Sequence, residues 1–132
     1  MREELLKLIE NSYSPYSKFP VAAMVTMSDG KNFYGVNIEN ASYGATICAE
    51  RVAIDTAIAA GYKKGDFKTL VVMNKSDNLV FPCFLCRQVI NEFFDKDAEL
   101  ILMNDADTKY YYMEDILTHP FGPEDLKWEV VM

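Results

Sequence analysis

Three cysteines constrain this chain more than anything else in it. Cys48 opens the stretch Cys48-Ala49-Glu50-Arg51, and Cys83 and Cys86 lie within Pro82-Cys83-Phe84-Leu85-Cys86-Arg87-Gln88; no other cysteine occurs. The C-x-x-C pair is a metal-ligand spacing, but by itself it also serves redox chemistry and structural zinc. A structural zinc takes four protein ligands, whereas a catalytic zinc takes three and keeps one position open. Here no fourth cysteine exists, and the only histidine, His119, stands in no ligand spacing and reads as a loop residue. The three cysteines are therefore expected to hold one catalytic zinc ion, which requires the fold to bring residue 48 against residues 83–86.

Hydrophobic periodicity places both stretches at helix starts. Ile47, Ile54 and Ile58 recur at helical spacing after Cys48, with Gly61 as the stop. Cys86, Val89, Ile90 and Phe93 follow i, i+3, i+4, i+7 after Pro82. Two helix N-termini would then face one metal, and their positive ends favour thiolate over thiol. Three thiolates and Zn²⁺ sum to −1, an unfavourable setting for making hydroxide. Arg51 and Arg87, each beside a ligand in sequence, are expected to offset that charge, and Gln88 to add a neutral hydrogen bond. Glu50, two residues from a ligand, is expected to shuttle the proton of a zinc-activated water.

The remaining elements follow in order. Residues 1–13 read as a helix, on Leu5, Leu6, Ile9 and Tyr13. Val21–Met27 reads as a strand apolar on both faces, with Met24, Met27 and Met73 as core filler. Ser28-Asp29-Gly30-Lys31 is a hairpin turn leading to a strand over Phe33–Ile38. After the Cys48 helix and a polar turn over Gly61–Lys68, Thr69–Met73 is a central strand. The second zinc helix runs from Cys83 to about Phe94, and Glu99–Met103 is the fourth strand. The short Asn104–Asp107 link makes Tyr110–Tyr112 return antiparallel. Helical turns are expected at Glu114–Leu117 and Pro123–Lys127, and an extended end at Trp128–Met132. The order α-ββ-α-β-α-ββ is that of an α/β protein, a three-layer α/β/α sandwich around a five-stranded mixed sheet. The length of 132 residues is that of one domain, so residues 1–132 are read as one unit.

A net charge of −7 argues against nucleic acid as a partner, the Tyr110–Tyr112 run notwithstanding. No apolar run is long enough to span a membrane. No secretory signal is visible, and cysteines in ligand spacing fit a reducing cytoplasm.

Taken together, Tyr16-Ser17-Lys18-Phe19, Asn37-Ile38-Glu39-Asn40-Ala41-Ser42-Tyr43, Cys48-Ala49-Glu50-Arg51 and Pro82-Cys83-x-x-Cys86-Arg87-Gln88 resemble, in order and interval, the small homotetrameric cytidine deaminases. A non-ligand Glu together with a P-C-x-x-C run is the pattern of the zinc base deaminases. The resemblance implies zinc-dependent hydrolytic deamination of cytidine and deoxycytidine to uridine and deoxyuridine, with ammonia released, in pyrimidine salvage. It implies that Glu50 protonates N3 and then helps the amino group leave, and that Asn37 and Glu39 hold the ribose 3′-hydroxyl. Phe19 would pack on the base, the Ala49 backbone would contact it, and Tyr43 would line the site across a subunit contact. Phe121 would enter a neighbouring subunit's site in a homotetramer with shared active sites. Phe84-Leu85 stands where that family commonly has Gly and a small residue. Thr118-His119-Pro120 and Ala22 also depart from its pattern. The Phe84-Leu85 departure motivates an alternative substrate, another aminopyrimidine nucleoside or a cytosine-containing antibiotic. A zinc-stabilised interaction module without turnover is a third reading, against which Glu50 stands.

Overall fold

The computed structural model describes residues 1–126, so the extended end expected over Trp128–Met132 lies outside the described residues. Five strands form one sheet in the order β2-β1-β3-β4-β5: β1 Val21–Met27, β2 Asn32–Val36, β3 Phe67–Asn74, β4 Phe94–Met103 and β5 Thr108–Tyr112. Only β3 and β4 run parallel; the other neighbours are antiparallel, as a hairpin and short links dictate. Among the described residues three α-helices pack with the sheet: α1 Arg2–Leu8, α2 Ala49–Ala59 and α3 Phe84–Phe93.

The sheet is buried on both faces, which is why β1 and β3 read as continuous apolar runs. On one face Leu5 and Ile9 pack with Met24, Val71, Met73 and Ile101. On the other, Ile54 of α2 and Ile90 of α3 pack with Val25, Leu70, Val72 and Leu100. The methionines expected as filler, Met24, Met27 and Met73, are all buried. This is the expected three-layer α/β/α arrangement, with β3 central.

Several boundaries differ from expectation, each for a physical reason. The first helix does not continue to Tyr13. After a 3₁₀ turn over Ile9–Asn11, Ser12 turns extended and Tyr13 pairs in parallel with Ile38. Tyr13 N donates to Asn37 O at 3.0 Å, and Tyr13 O accepts from Glu39 N at 2.8 Å. A further helical turn would bury nothing, since the Tyr13 side chain is exposed. β2 stops at Val36, because Ile38 exchanges its partners for Tyr13 and Ile47. β3 begins at Phe67 and β4 at Phe94, both earlier than expected. Phe67 and Phe94 are paired, with buried rings 5.0 Å apart, and the polar residues around them disguise the strand starts. α3 passes straight into β4 without a loop. The helical turn expected at Glu114–Leu117 is a 3₁₀ turn over Met113–Asp115, and the next spans Pro123–Leu126.

One close approach sets where α2 starts. A Cβ on Gly35 of β2 would lie 2.4 Å from Ala49 O and 2.6 Å from Ala53 N. Ala49, Ala53 and Ala57 form the buried small-residue face of α2, so backbone meets backbone where the Cys48 helix begins. Gly35→Ala is expected to destabilise the protein by about 1–3 kcal/mol, the usual cost of overpacking, as read by urea unfolding. A variant as stable as the parent would show that α2 yields freely at this point.

Candidate metal centre and active-site pocket

Cys48 is the N-cap residue of α2 and Cys83 that of α3, both in extended backbone conformation. Neither helix has a side-chain cap hydrogen bond at its N-terminus, so free backbone N–H groups and the positive ends of both dipoles meet the sulfurs. Cys86 lies in the first turn of α3 and is fully buried. The three Sγ atoms lie within 4.8 Å of one another, and Cys48 and Cys83 are 3.8 Å apart. Zn–S bonds of about 2.3 Å at tetrahedral angles put sulfurs about 3.8 Å apart. The cysteine cluster therefore fits zinc in both donor type and spacing. Among the described residues no other group joins the cluster, so a tetrahedral ion would keep one position for a non-protein ligand.

The electrostatics favour a thiolate at Cys48. Hydrogen bonding with Cys86 draws the Cys48 thiol down to about 5, helped by Arg51. Cys86 is pushed up, by the same hydrogen bond and by burial. Arg51 Nη2 donates to Cys48 Sγ at 3.4 Å, so the expected charge compensation by Arg51 has a direct contact. Glu50, in the first turn of α2, is 5% exposed. Burial pushes its carboxyl up to about 7, and the Cys48 charge adds to the effect. A carboxyl at that value can both give and take a proton near neutral pH.

Arg87 and Gln88 depart from expectation. Arg87 Nε donates to Pro82 O at 2.9 Å, and its guanidinium lies 4.6 Å from the centre of the Phe84 ring. Gln88 Nε2 donates to Phe121 O at 2.9 Å. Neither contacts a sulfur, because one and two steps past Cys86 rotate a side chain by about 100° and 200° around the helix. Arg51 lies three steps past Cys48 and so returns to the ligand's side.

Beside the sulfurs is a cavity of about 300 Å³. Cys48, Ala49, Glu50 and Cys83 line one part of it; Phe19, Asn37 and Glu39 line another. Beyond the end of β2 the chain stays extended, with Ile38 bridged on both sides, so Asn37 and Glu39 still face one way. Asn37 Oδ1 accepts from Val21 N at 2.9 Å and from Ser12 Oγ, while Nδ2 donates to Phe19 O at 2.9 Å. One Nδ2 hydrogen remains for a ligand. Glu39 accepts from Tyr16 N at 2.9 Å, Ser17 N at 3.1 Å and Ser17 Oγ. The Ser17 hydroxyl bond, with those amides, holds the carboxyl below its usual range.

Tyr43 and Phe121 do not line this cavity within the chain. Tyr43 is 75% exposed, edge-on to Tyr16 beside a neighbouring hollow that shares Glu39 and Thr46. Phe121 is also exposed and lies on the far side of α3, where its carbonyl accepts from Gln88 and Asn91. Phe84 and Leu85 are 80% and 67% exposed and do not line the cavity within the chain. Sequence reasoning missed Ser17, Thr46, Asn74, Val80 and Phe81, which also line the cavity. For Asn74 a signal existed: a polar residue ending an apolar strand.

Residues 1–102 match the profile of one protein family, the cytidine and deoxycytidylate deaminase zinc-binding region. A cytidine deaminase of Sporosarcina psychrophila is 40% identical over 126 residues, covering 95% of this chain and 91% of that protein. A probable cytidine deaminase of Dictyostelium discoideum is 41% identical, covering 95% and 88%. The crystal structure of cytidine deaminase from Burkholderia pseudomallei superposes with a TM-score of 0.85 at 40% identity, covering 90% of this chain and 94% of that one.

The purified protein is expected to carry about one zinc per chain, and Cys86→Ser to retain much less. Elemental analysis checks both; a folded, active protein without zinc would contradict the assignment.

Proposed function

Because the chain belongs to the cytidine and deoxycytidylate deaminase family, we propose that the cavity beside the three cysteines is where it converts cytidine to uridine. The protein is a zinc-dependent enzyme, and its reaction is hydrolytic deamination of cytidine with release of ammonia. The observation that carries the assignment of the site is Glu50: a buried carboxyl raised to about 7 beside three clustered sulfurs, inside the cavity.

Cys48, Cys83 and Cys86 hold the zinc, which supplies a Lewis acid that makes water nucleophilic near neutral pH. Arg51 balances part of the thiolate charge. Glu50 takes a proton from the attacking water and delivers it to N3 as the oxygen adds to C4. It then takes the second proton from that oxygen and passes it to the amino group, which leaves as ammonia while the C4 carbonyl forms. Uridine keeps the N3 proton, so one water is consumed and Glu50 ends as it began. The remaining Nδ2 hydrogen of Asn37 and the carboxylate of Glu39 grip the ribose 3′-hydroxyl. Phe19 and the Ala49 backbone seat the base. Deoxycytidine carries the same 3′-hydroxyl and is turned over too.

The wider setting belongs to the same reading. Residues 1–132 act as one deaminase domain, in the cytoplasm, in pyrimidine salvage. Among the described residues no helix is long and apolar enough to cross a membrane. The assembly is a homotetramer, with Phe121 and Tyr43 completing sites across subunit contacts. Supporting this, Phe84, Leu85, Phe121 and Tyr43 are all more than half exposed on the isolated chain, apolar surface that subunit contacts would cover.

Ammonia release from cytidine, deoxycytidine and free cytosine tests the reading: both nucleosides should react well and the free base poorly. Glu50→Gln should keep its zinc while kcat falls by at least about 10²–10⁴-fold. Near-normal turnover in that variant would remove Glu50 from the reaction. Light scattering should return four chains; a fully active monomer would contradict the shared sites.

A further inference from the structure

The loop over residues 16–19 closes around the Glu39 carboxylate. Oε1 accepts from Tyr16 N at 2.9 Å and from Ser17 N at 3.1 Å, and Oε2 accepts from Ser17 Oγ. An ionised carboxylate only accepts, with about two lone-pair sites on each oxygen. The Ser17 hydroxyl therefore gives its one hydrogen to Oε2. That bond is the largest influence holding the Glu39 carboxyl below its usual range. Oε1 is then fully used, and Oε2 keeps one lone pair for a ligand.

Ser17 is itself fixed from its other side. Its Oγ accepts from Phe19 N at 3.1 Å. This bond spans Lys18, whose φ of 59° is left-handed and seldom adopted by a residue other than glycine. With the Phe19 N–H on one lone pair, the hydroxyl hydrogen is turned toward Glu39. Phe19 O in turn accepts from Asn37 Nδ2 at 2.9 Å, which leaves that amide one hydrogen. Asn37 thus offers one donor and Glu39 one acceptor, and both residues line the cavity. A single hydroxyl, which donates and accepts at once, satisfies the pair.

We propose that Ser17 is a positioning residue acting through Glu39, which it leaves with one free lone pair, on Oε2, for the substrate's 3′-hydroxyl. This rests on the cytidine reading above, in which Asn37 and Glu39 grip that hydroxyl. Without the Ser17 hydroxyl, Oε2 has two open sites in place of one, and only the two amides on Oε1 orient the group. Water then competes for the carboxylate, and the turn at Lys18 loses the bond that spans it. The effect falls on the sugar and not on the chemical step. Among the described residues the hydrogen bonds of Ser17 reach Glu39 and Phe19, and neither a cysteine nor Glu50.

The test compares cytidine with 3′-deoxycytidine as substrates of the zinc-loaded wild type, Ser17→Ala and Ser17→Thr. Ser17 is exposed, so truncating it opens no buried void. Ser17→Ala should lower kcat/KM on cytidine about tenfold, mostly through KM. On 3′-deoxycytidine, which lacks the hydroxyl that Glu39 would hold, the same variant should change kcat/KM by less than about twofold. The preference for cytidine over 3′-deoxycytidine therefore drops about tenfold in Ser17→Ala. Ser17→Thr keeps the hydroxyl and should keep the wild-type preference; because the preference is a ratio, general damage from the added methyl cancels. Equal losses on both substrates in Ser17→Ala would show that Ser17 merely packs the loop, and would overturn the proposal. So would a preference that falls as far in Ser17→Thr, or a wild type that does not distinguish the two substrates. A wild type inert on cytidine itself would overturn the reading beneath it.

Discussion

The site depends on the meeting of two helix N-termini at three sulfur atoms. Thiolates clustered within 4.8 Å repel one another, and an acidic protein does nothing to relieve them. Relief comes locally, from the uncapped N–H groups at the starts of α2 and α3, from Arg51, and from the cation the cluster is shaped to hold. The same convergence buries Glu50. Because its helix begins at a ligand, the carboxyl two residues on is carried below the protein surface, and burial keeps it from ionising at the usual pH. Metal site and proton carrier are thus two results of one piece of geometry.

The sheet is what brings the helix starts together. α2 arrives from β2 and is seated on it through Gly35, where no side chain intervenes. α3 arrives from β3 and returns as β4, the one parallel pair in the sheet. The cavity therefore opens where β1 begins and β3 ends, and Val21 and Asn74, paired across those strands, both line it. Asn37 and Glu39 reach it because Tyr13 leaves α1's course to hold the chain extended beyond β2. The loss of a helical turn at residue 13 and the presentation of Glu39 are one event.

What could be read from the sequence was whatever depended on short-range spacing. Cys48 with Glu50, and Cys83 with Cys86, are local patterns, and helical periodicity alone put them at helix starts. The hairpin at Gly30 and the antiparallel return of β5 were legible from turn chemistry and link length. Readings based on adjacency fared worse. Arg87 and Gln88 neighbour a cysteine in sequence but face other directions around α3, and Phe84-Leu85, beside a ligand, does not line the cavity of its own chain. Pairing across long separations was invisible: nothing near Phe67 or Phe94 announces that they meet.

The central claim is that three thiolates hold the zinc and leave one position open for chemistry guided by Glu50. X-ray absorption at the zinc edge of the loaded, ligand-free enzyme reads that coordination directly. The account predicts three sulfurs at about 2.3 Å and one oxygen or nitrogen at about 2.0 Å. Four sulfurs, or a shell of oxygens with fewer than three sulfurs, would contradict it.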